Sequence, residues 1–149
     1  MQDAATDPAP GPGGATPADA WRRLTLRRLY VLNLAVLAAH EVDSAYWHEW
    51  ELFRLPGGSQ LFVALNLALF AVFLHGLVRL VEGRRSGLWY SLALAAAGLF
   101  AAVLHSTFLA LGHPEFTAPV SLALLAATTV LSLAQARITR SALRHEGHG

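Results

Sequence analysis

The stretch His40-Glu41-Val42-Asp43-Ser44-Ala45-Tyr46-Trp47-His48-Glu49-Trp50 packs its ionisable side chains into about three helical turns, immediately after the apolar run 29–39. In a segment lying in lipid, a carboxylate near the centre costs roughly 2.5–3.5 kcal/mol, whereas each Leu, Ile, Val or Phe returns about 0.3–0.6 kcal/mol. With Glu41 and Asp43 both charged, the preceding apolar run barely balances the loss. Groups held there at such a cost point to function and require partners.

Projected at about 100° per residue, His40, Asp43, Ser44, Trp47 and Glu51 share one stripe of a helix, with Glu41 and His48 on its flank. Glu49 points away from that arc and is tolerable only at the outer surface. A ruler of about 1.5 Å per residue brings His105 and Asn66, on later apolar stretches, to a similar depth. His113 falls just beyond, where it can fold over the mouth. Side chains three or four apart on a helix converge, so His40, Asp43 and His48 together with His105 form a candidate metal site of the kind that bundle cores build. Glu41, Ser44, Asn66 and His113 are the expected supporting or proton-handling groups. The chain has no cysteine, so nitrogen and oxygen must hold any metal, with zinc the first expectation and iron or manganese next. The pattern is not that of a zinc protease: after His40-Glu41 the required second His is Ser44, and after His48-Glu49 it is Leu52. Glu41 or Asp43 could act as general base toward a metal-bound water, but nothing in the sequence supplies a substrate, so no catalytic residue and no enzyme activity are assigned. Two other readings stay open. One is proton or cation translocation, and the other is a purely structural network of buried polar groups. Two His at one depth could also ligate haem, although the adjacent acids make such a pocket unusually polar.

Four apolar stretches must position these groups, near 29–50, 60–81, 88–111 and 117–136, each close to the roughly 20 residues that cross a bilayer core. Helix is the form expected of them, because a spanning segment must satisfy its own backbone and these Ala/Leu-rich runs lack strand alternation. Pro56-Gly57-Gly58, Gly83-Arg84-Arg85-Ser86-Gly87 and Gly112-His113-Pro114-Glu115 supply the breaks. The expected fold is an all-α, four-helix transmembrane bundle over 21–137, flanked by a disordered N-terminal tail, 1–20, and a cytoplasmic tail, 138–149. Arginines cluster before the first stretch, around the second connection and after the fourth, with Arg54 alone on the other side, so both termini are expected in the cytoplasm. Trp21, Tyr30, Trp89 and Tyr90 would form an inner aromatic belt, and Tyr46, Trp47 and Trp50 an outer one. The N-terminal residues lack the basic and apolar regions of a secretory signal, so the first span is expected to act as an uncleaved anchor.

Of the 149 residues, 54% are hydrophobic and 14% charged, beyond the usual balance of a soluble domain. A soluble four-helix protein would also need polar helix faces, and 61–74 has only Asn66. The formal net charge of +1 gives no general attraction to nucleic acid, so the lipid bilayer is the expected partner. Small residues at Ala93, Ala95, Ala96, Ala97 and Gly98 allow close helix packing, within one chain or in a homo-oligomer. All eleven basic residues are Arg, a composition suggestive of a GC-rich bacterial genome and hence of a bacterial inner membrane. His40 and His48 are eight positions apart, as are His105 and His113, a spacing suggestive of a duplicated hairpin. Through His40-Glu41-x-Asp43, His48-Glu49-Trp50, Leu104-His105 and the stretch from His113 through Phe116 to Ser121, the chain resembles a family of small bacterial four-span membrane proteins of unknown function. The resemblance covers about 29–133 and implies membrane location and four spans, without an activity. Asn66 stands where that family tends to carry His.

Overall fold

A computed structural model describes residues 16–113 and 117–146, and every regular element among them is helical. The first helix, α1 (Pro17–Tyr46), opens with proline at its first position, where a missing N–H costs nothing. A single turn follows, α2 (Glu49–Leu52), and then α3 (Gly58–Val81), α4 (Arg85–Ala110) and α5 (Pro119–Glu146), the last again opening on proline. After α3 the chain turns on Gly83, whose φ of 72° lets Arg84 N–H reach back to the Arg79 carbonyl at 3.0 Å. Gly112 does the same after α4, and His113 N–H bonds the Phe108 carbonyl at 3.1 Å.

Three of these helices, α3, α4 and α5, are long and apolar enough to cross a membrane. The helix carrying the ionisable stretch falls short by composition. Two expected boundaries also move. The first stretch stops being one helix at Tyr46 rather than running to 50, and α5 continues to Glu146, through residues expected to form a tail. Of the expected N-terminal tail, 1–15 lie outside the described residues and Pro17 already begins α1.

Burial explains how the helices meet. On α1 the buried positions Leu26, Tyr30, Asn33, Leu37, His40 and Ser44 alternate steps of four and three, with Leu34 buried beside Asn33. On α4, Ser91, Gly98 and His105 recur every seven residues, as do Ser121, Thr128 and Gln135 on α5. A seven-residue seam is the signature of left-handed knobs-into-holes packing, here with polar knobs at many positions. α4 packs most extensively on α5, which also lies along α1, and α3 closes the bundle against α4. Gly98 lets α4 and α5 approach, because a methyl there would collide with Ser132 Oγ and the Thr128 side chain. The outward faces are apolar: Val63, Leu65, Leu67, Val72 and Leu74 on α3, Phe100 and Val103 on α4, and Val130 and Leu133 on α5. Leaving each of these in water would forgo roughly 1.5–3 kcal/mol of burial, so this polar-inside, apolar-outside molecule is arranged as a multi-pass membrane protein. Tyr30, expected in an interfacial belt, is instead fully buried and donates its hydroxyl to the Phe73 carbonyl at 2.7 Å.

Candidate functional site

The polar interior divides into two parts along the bundle. Toward the arginine-rich end, Asn33 Nδ2 donates to Gln135 Oε1 at 2.9 Å and to Ser132 Oγ at 3.1 Å. Gln135 Nε2 in turn donates to the Ser91 carbonyl and to Ser91 Oγ, each at 3.0 Å. Ser91 Oγ lies 2.9 Å from Thr139 Oγ1, which donates to the Gln135 carbonyl at 2.8 Å. Since that last bond uses the Thr139 proton, Ser91 donates to Thr139, and the donors run consistently around the network. It carries no ionisable side chain and ties three helices together.

These bonds also set the register. From Asn33, seven residues along α1 lead to His40, and from Gln135 seven residues back along α5 lead to Thr128. Those two come level, with Ser44 one turn beyond His40 and Ser121 two turns beyond Thr128 toward the same end. On α4 the fourteen residues from Ser91 to His105 match the fourteen from Gln135 to Ser121. The second part of the interior therefore gathers His40, Ser44, His105, Ser121 and Thr128 at the end that carries α2.

There the rings of His40 and His105 meet edge to face, with centroids 4.5 Å apart. His105 Nε2 lies 2.7 Å from Glu49 Oε1, and its Nδ1 lies 2.8 Å from the Ala101 carbonyl, one turn back on α4. The protons can be counted from this geometry. A carbonyl oxygen only accepts, so Nδ1 carries a hydrogen, and one further proton occupies the contact between Nε2 and Oε1. Held as imidazolium and carboxylate or as two neutral groups, the pair has no net charge, which is how it can be buried at 4% exposure of each residue. Glu41, half-buried on α1, faces the Asn66 amide and lies within electrostatic range of Glu49 and His105.

The chain reaches this geometry by breaking its first helix. His48 adopts a left-handed conformation, φ 55° and ψ 43°, and the reversal turns Glu49 inward. Arg54 is also left-handed, at φ 49°, followed by Gly57 and Gly58. His is among the non-glycine residues that tolerate this region, yet such positions still cost about 1–3 kcal/mol each and must be held by their surroundings. Leu55 N–H to the Trp50 carbonyl at 2.8 Å and Phe53 against Phe108, ring centroids 5.5 Å apart, help to hold the segment.

Sequence projection placed Glu49 outside the site and His48 inside it, and the break reverses both. His48 is exposed, with its ring against Trp50 at 4.9 Å. Of the four expected metal ligands only His40 and His105 come together. Asp43 is half-buried one turn from His40, and among the described residues no three His, Asp or Glu side chains converge as a metal site. Ser44 is buried in the cluster and Asn66 flanks it, its Nδ2 donating to the Phe62 carbonyl at 3.1 Å. His113 packs on Phe108, centroids 5.2 Å apart, while Pro114, Glu115 and Phe116 of the same connection lie outside the described residues.

Several buried polar atoms of this half have no partner among the described residues: His40 Nδ1, Ser44 Oγ, Trp47 Nε1, Asn66 Oδ1, Ser121 Oγ and Thr128 Oγ1. Each unsatisfied buried group costs about 1–3 kcal/mol, so a cluster of them is a candidate site. The contrast with the satisfied network beneath is the chief electrostatic feature of the molecule. The seven-residue recurrence of Asn33 and His40, and of Ser121, Thr128 and Gln135, was the available signal for this polar seam.

No curated protein and no solved structure matches the chain. A family model described as a family of unknown function, DUF6713, matches residues 26–142. Taking in α3, α4, most of α1 and α5, and the two-part polar interior, that match establishes that the chain belongs to the family of unknown function DUF6713.

Proposed function

We propose that this protein is a four-span bundle of the bacterial inner membrane, with both termini in the cytoplasm, which binds and releases protons at an outward-facing site made by Glu49, His105 and His40. Support for α1 as the fourth span comes from its outward positions: Val31, Leu32, Ala35, Ala39 and Val42 are exposed, whereas Asn33, His40 and Ser44 are buried. Its low overall hydropathy thus reflects a face turned toward the bundle, not toward lipid. The distribution of arginines supports the orientation.

The observation that carries the chemistry is His105 bonded at both ring nitrogens, with one proton shared between Nε2 and Glu49, beside His40 whose Nδ1 has no protein partner. A second proton entering from outside meets either Glu49 or His40. Protonated Glu49 releases its charge-assisted bond to His105, and α2, held against left-handed strain at His48, loosens. The neutral, satisfied network around Gln135 closes the inner half and offers no titratable group for onward transfer. The site therefore responds to external proton activity instead of conducting protons across the membrane.

Infrared difference spectra of the protein in nanodiscs after an acid step test this reading. A carboxylate band lost in wild type and absent in Glu49→Gln supports it; a wild-type spectrum unchanged by Glu49→Gln and His105→Asn contradicts it. Metal binding is the second reading, favoured by the orphaned His40 Nδ1 beside His105. For zinc, iron or manganese to reach His105, Glu49 must first leave Nε2 or join as a ligand. Stoichiometric metal in the purified protein, lost on changing His40 or His105, decides for that reading.

A further inference from the structure

At the other end of the bundle the four long helices leave a cleft of about 370 Å³ between them. Arg22, Arg23 and Arg27 of α1, Arg84 of the turn before α4 and His145 of the last turn of α5 line it, above a floor that includes Leu26, Leu80 and Leu88. Among the described residues its lining contains no carboxylate. Glu82, outside the lining, is taken up by Arg84 at 2.8 Å. Arg27 is held in place, its Nη2 donating to the Val81 carbonyl at 2.9 Å, across from its own helix.

We propose that this cleft binds the phosphodiester headgroup of an anionic lipid, with the buried leucines receiving the first part of its apolar body. Orientation in the membrane needs arginines near the ends of spans, but it does not need them converging from different helices on one concavity. Nor does it need His145 there. Four guanidinium groups and an imidazole around a leucine floor match a ligand that is anionic at one end and apolar at the other, as in basic pockets between membrane helices. Apart from His145 the lining has no aromatic ring, so a nucleotide base finds no stacking platform. That the lipid belongs to the cytoplasmic leaflet rests on the orientation proposed above; the affinity of the cleft does not.

The test uses the full chain in detergent and soluble short-chain lipids. Dioctanoyl phosphatidylglycerol should bind saturably by calorimetry, and dioctanoyl phosphatidylcholine, with the same phosphate but no net charge, should bind far less. Arg23→Gln with Arg84→Gln should weaken the phosphatidylglycerol affinity about tenfold or more, as expected for two charge-assisted contacts. Arg137→Gln with Arg140→Gln removes the same charge from an exposed face of α5 outside the cleft and should leave the affinity within about twofold. Should the first double variant fail to fold, His145→Gln, on the exposed end of α5, carries the same comparison. Equal losses in both double variants overturn the cleft as the site. Inorganic phosphate binding as tightly as phosphatidylglycerol overturns the lipid and assigns a free-anion site.

Discussion

Replacing Glu49 by alanine separates a docked α2 from one that merely lies nearby. In the native chain the Glu49 carboxyl group shares a proton with His105 Nε2 at 2.7 Å, both side chains being buried. A charge-assisted bond of this kind contributes about 1.5–3 kcal/mol, and it opposes left-handed strain at His48 and Arg54 that costs about 1–3 kcal/mol at each residue. The two are of similar size, so removing the bond should free the segment locally without unfolding the bundle. Opening made easier by that amount accelerates amide exchange about ten- to a hundredfold. The reporters are the Phe53 and Leu55 amides, which donate to the Glu49 and Trp50 carbonyls at 2.9 and 2.8 Å. Amides in α5 near Gln135 should keep their protection, because that network shares no bond with Glu49. Exchange at Phe53 and Leu55 unchanged in Glu49→Ala would refute the reasoning, as would equal acceleration in every helix.

Further consequences concern neighbouring parts of the same core. Protection of the α2 segment, corrected for intrinsic exchange, should pass through a maximum with pH: acid adds a second proton and removes the carboxylate acceptor, whereas base removes the shared proton and sets the Nε2 lone pair against the carboxylate. A monotonic profile contradicts the shared-proton geometry. His48→Gly should stabilise the protein by up to about 1 kcal/mol in a thermal or denaturant titration, since glycine adopts the left-handed conformation freely; loss of a bound metal on this change would instead restore His48 as a ligand. Gly98→Ala should cost about 1–3 kcal/mol by forcing α4 from α5, and Ser132→Ala in the same chain should recover part of it by removing the oxygen that the methyl meets. Gln135→Ala should destabilise by about 1–2 kcal/mol and more than Ser132→Ala does, because it removes bonds to both Asn33 and Ser91.

Helix existence, the glycine turns and the arrangement of a polar face turned inward were legible from apolar run length and the grouping of His40 with Ser44. The ruler that set His105 level with Asp43 to His48 brought it into the same half of the bundle as His40, whose ring it meets. The partner of His105 was not legible. Helical projection assumes that one helix continues, and nothing in the types Trp47-His48 announces a left-handed residue as glycine would. A single backbone reversal exchanged the roles of His48 and Glu49. α1 shows the complementary difficulty: its mean hydropathy is lowered by the buried Asn33, His40 and Ser44, whereas Val31, Leu32, Ala35, Ala39 and Val42 are exposed. The amide and hydroxyl network escaped notice because Asn33, Ser91 and Gln135 carry no charge and lie far apart in sequence. Their seven-residue phase with His40, His105 and Thr128 gains meaning only once three helices are set side by side.

Nitrogen-15 magnetic resonance of the His105 ring, recorded in lipid bilayers across a pH titration, bears most directly on the proton site. A ring with Nδ1 protonated throughout, and an Nε2 resonance that moves with pH in wild type but changes its course in Glu49→Gln, is the expected result. A His105 whose Nδ1 loses its proton, and which titrates identically whether or not Glu49 is present, would contradict the proposed site.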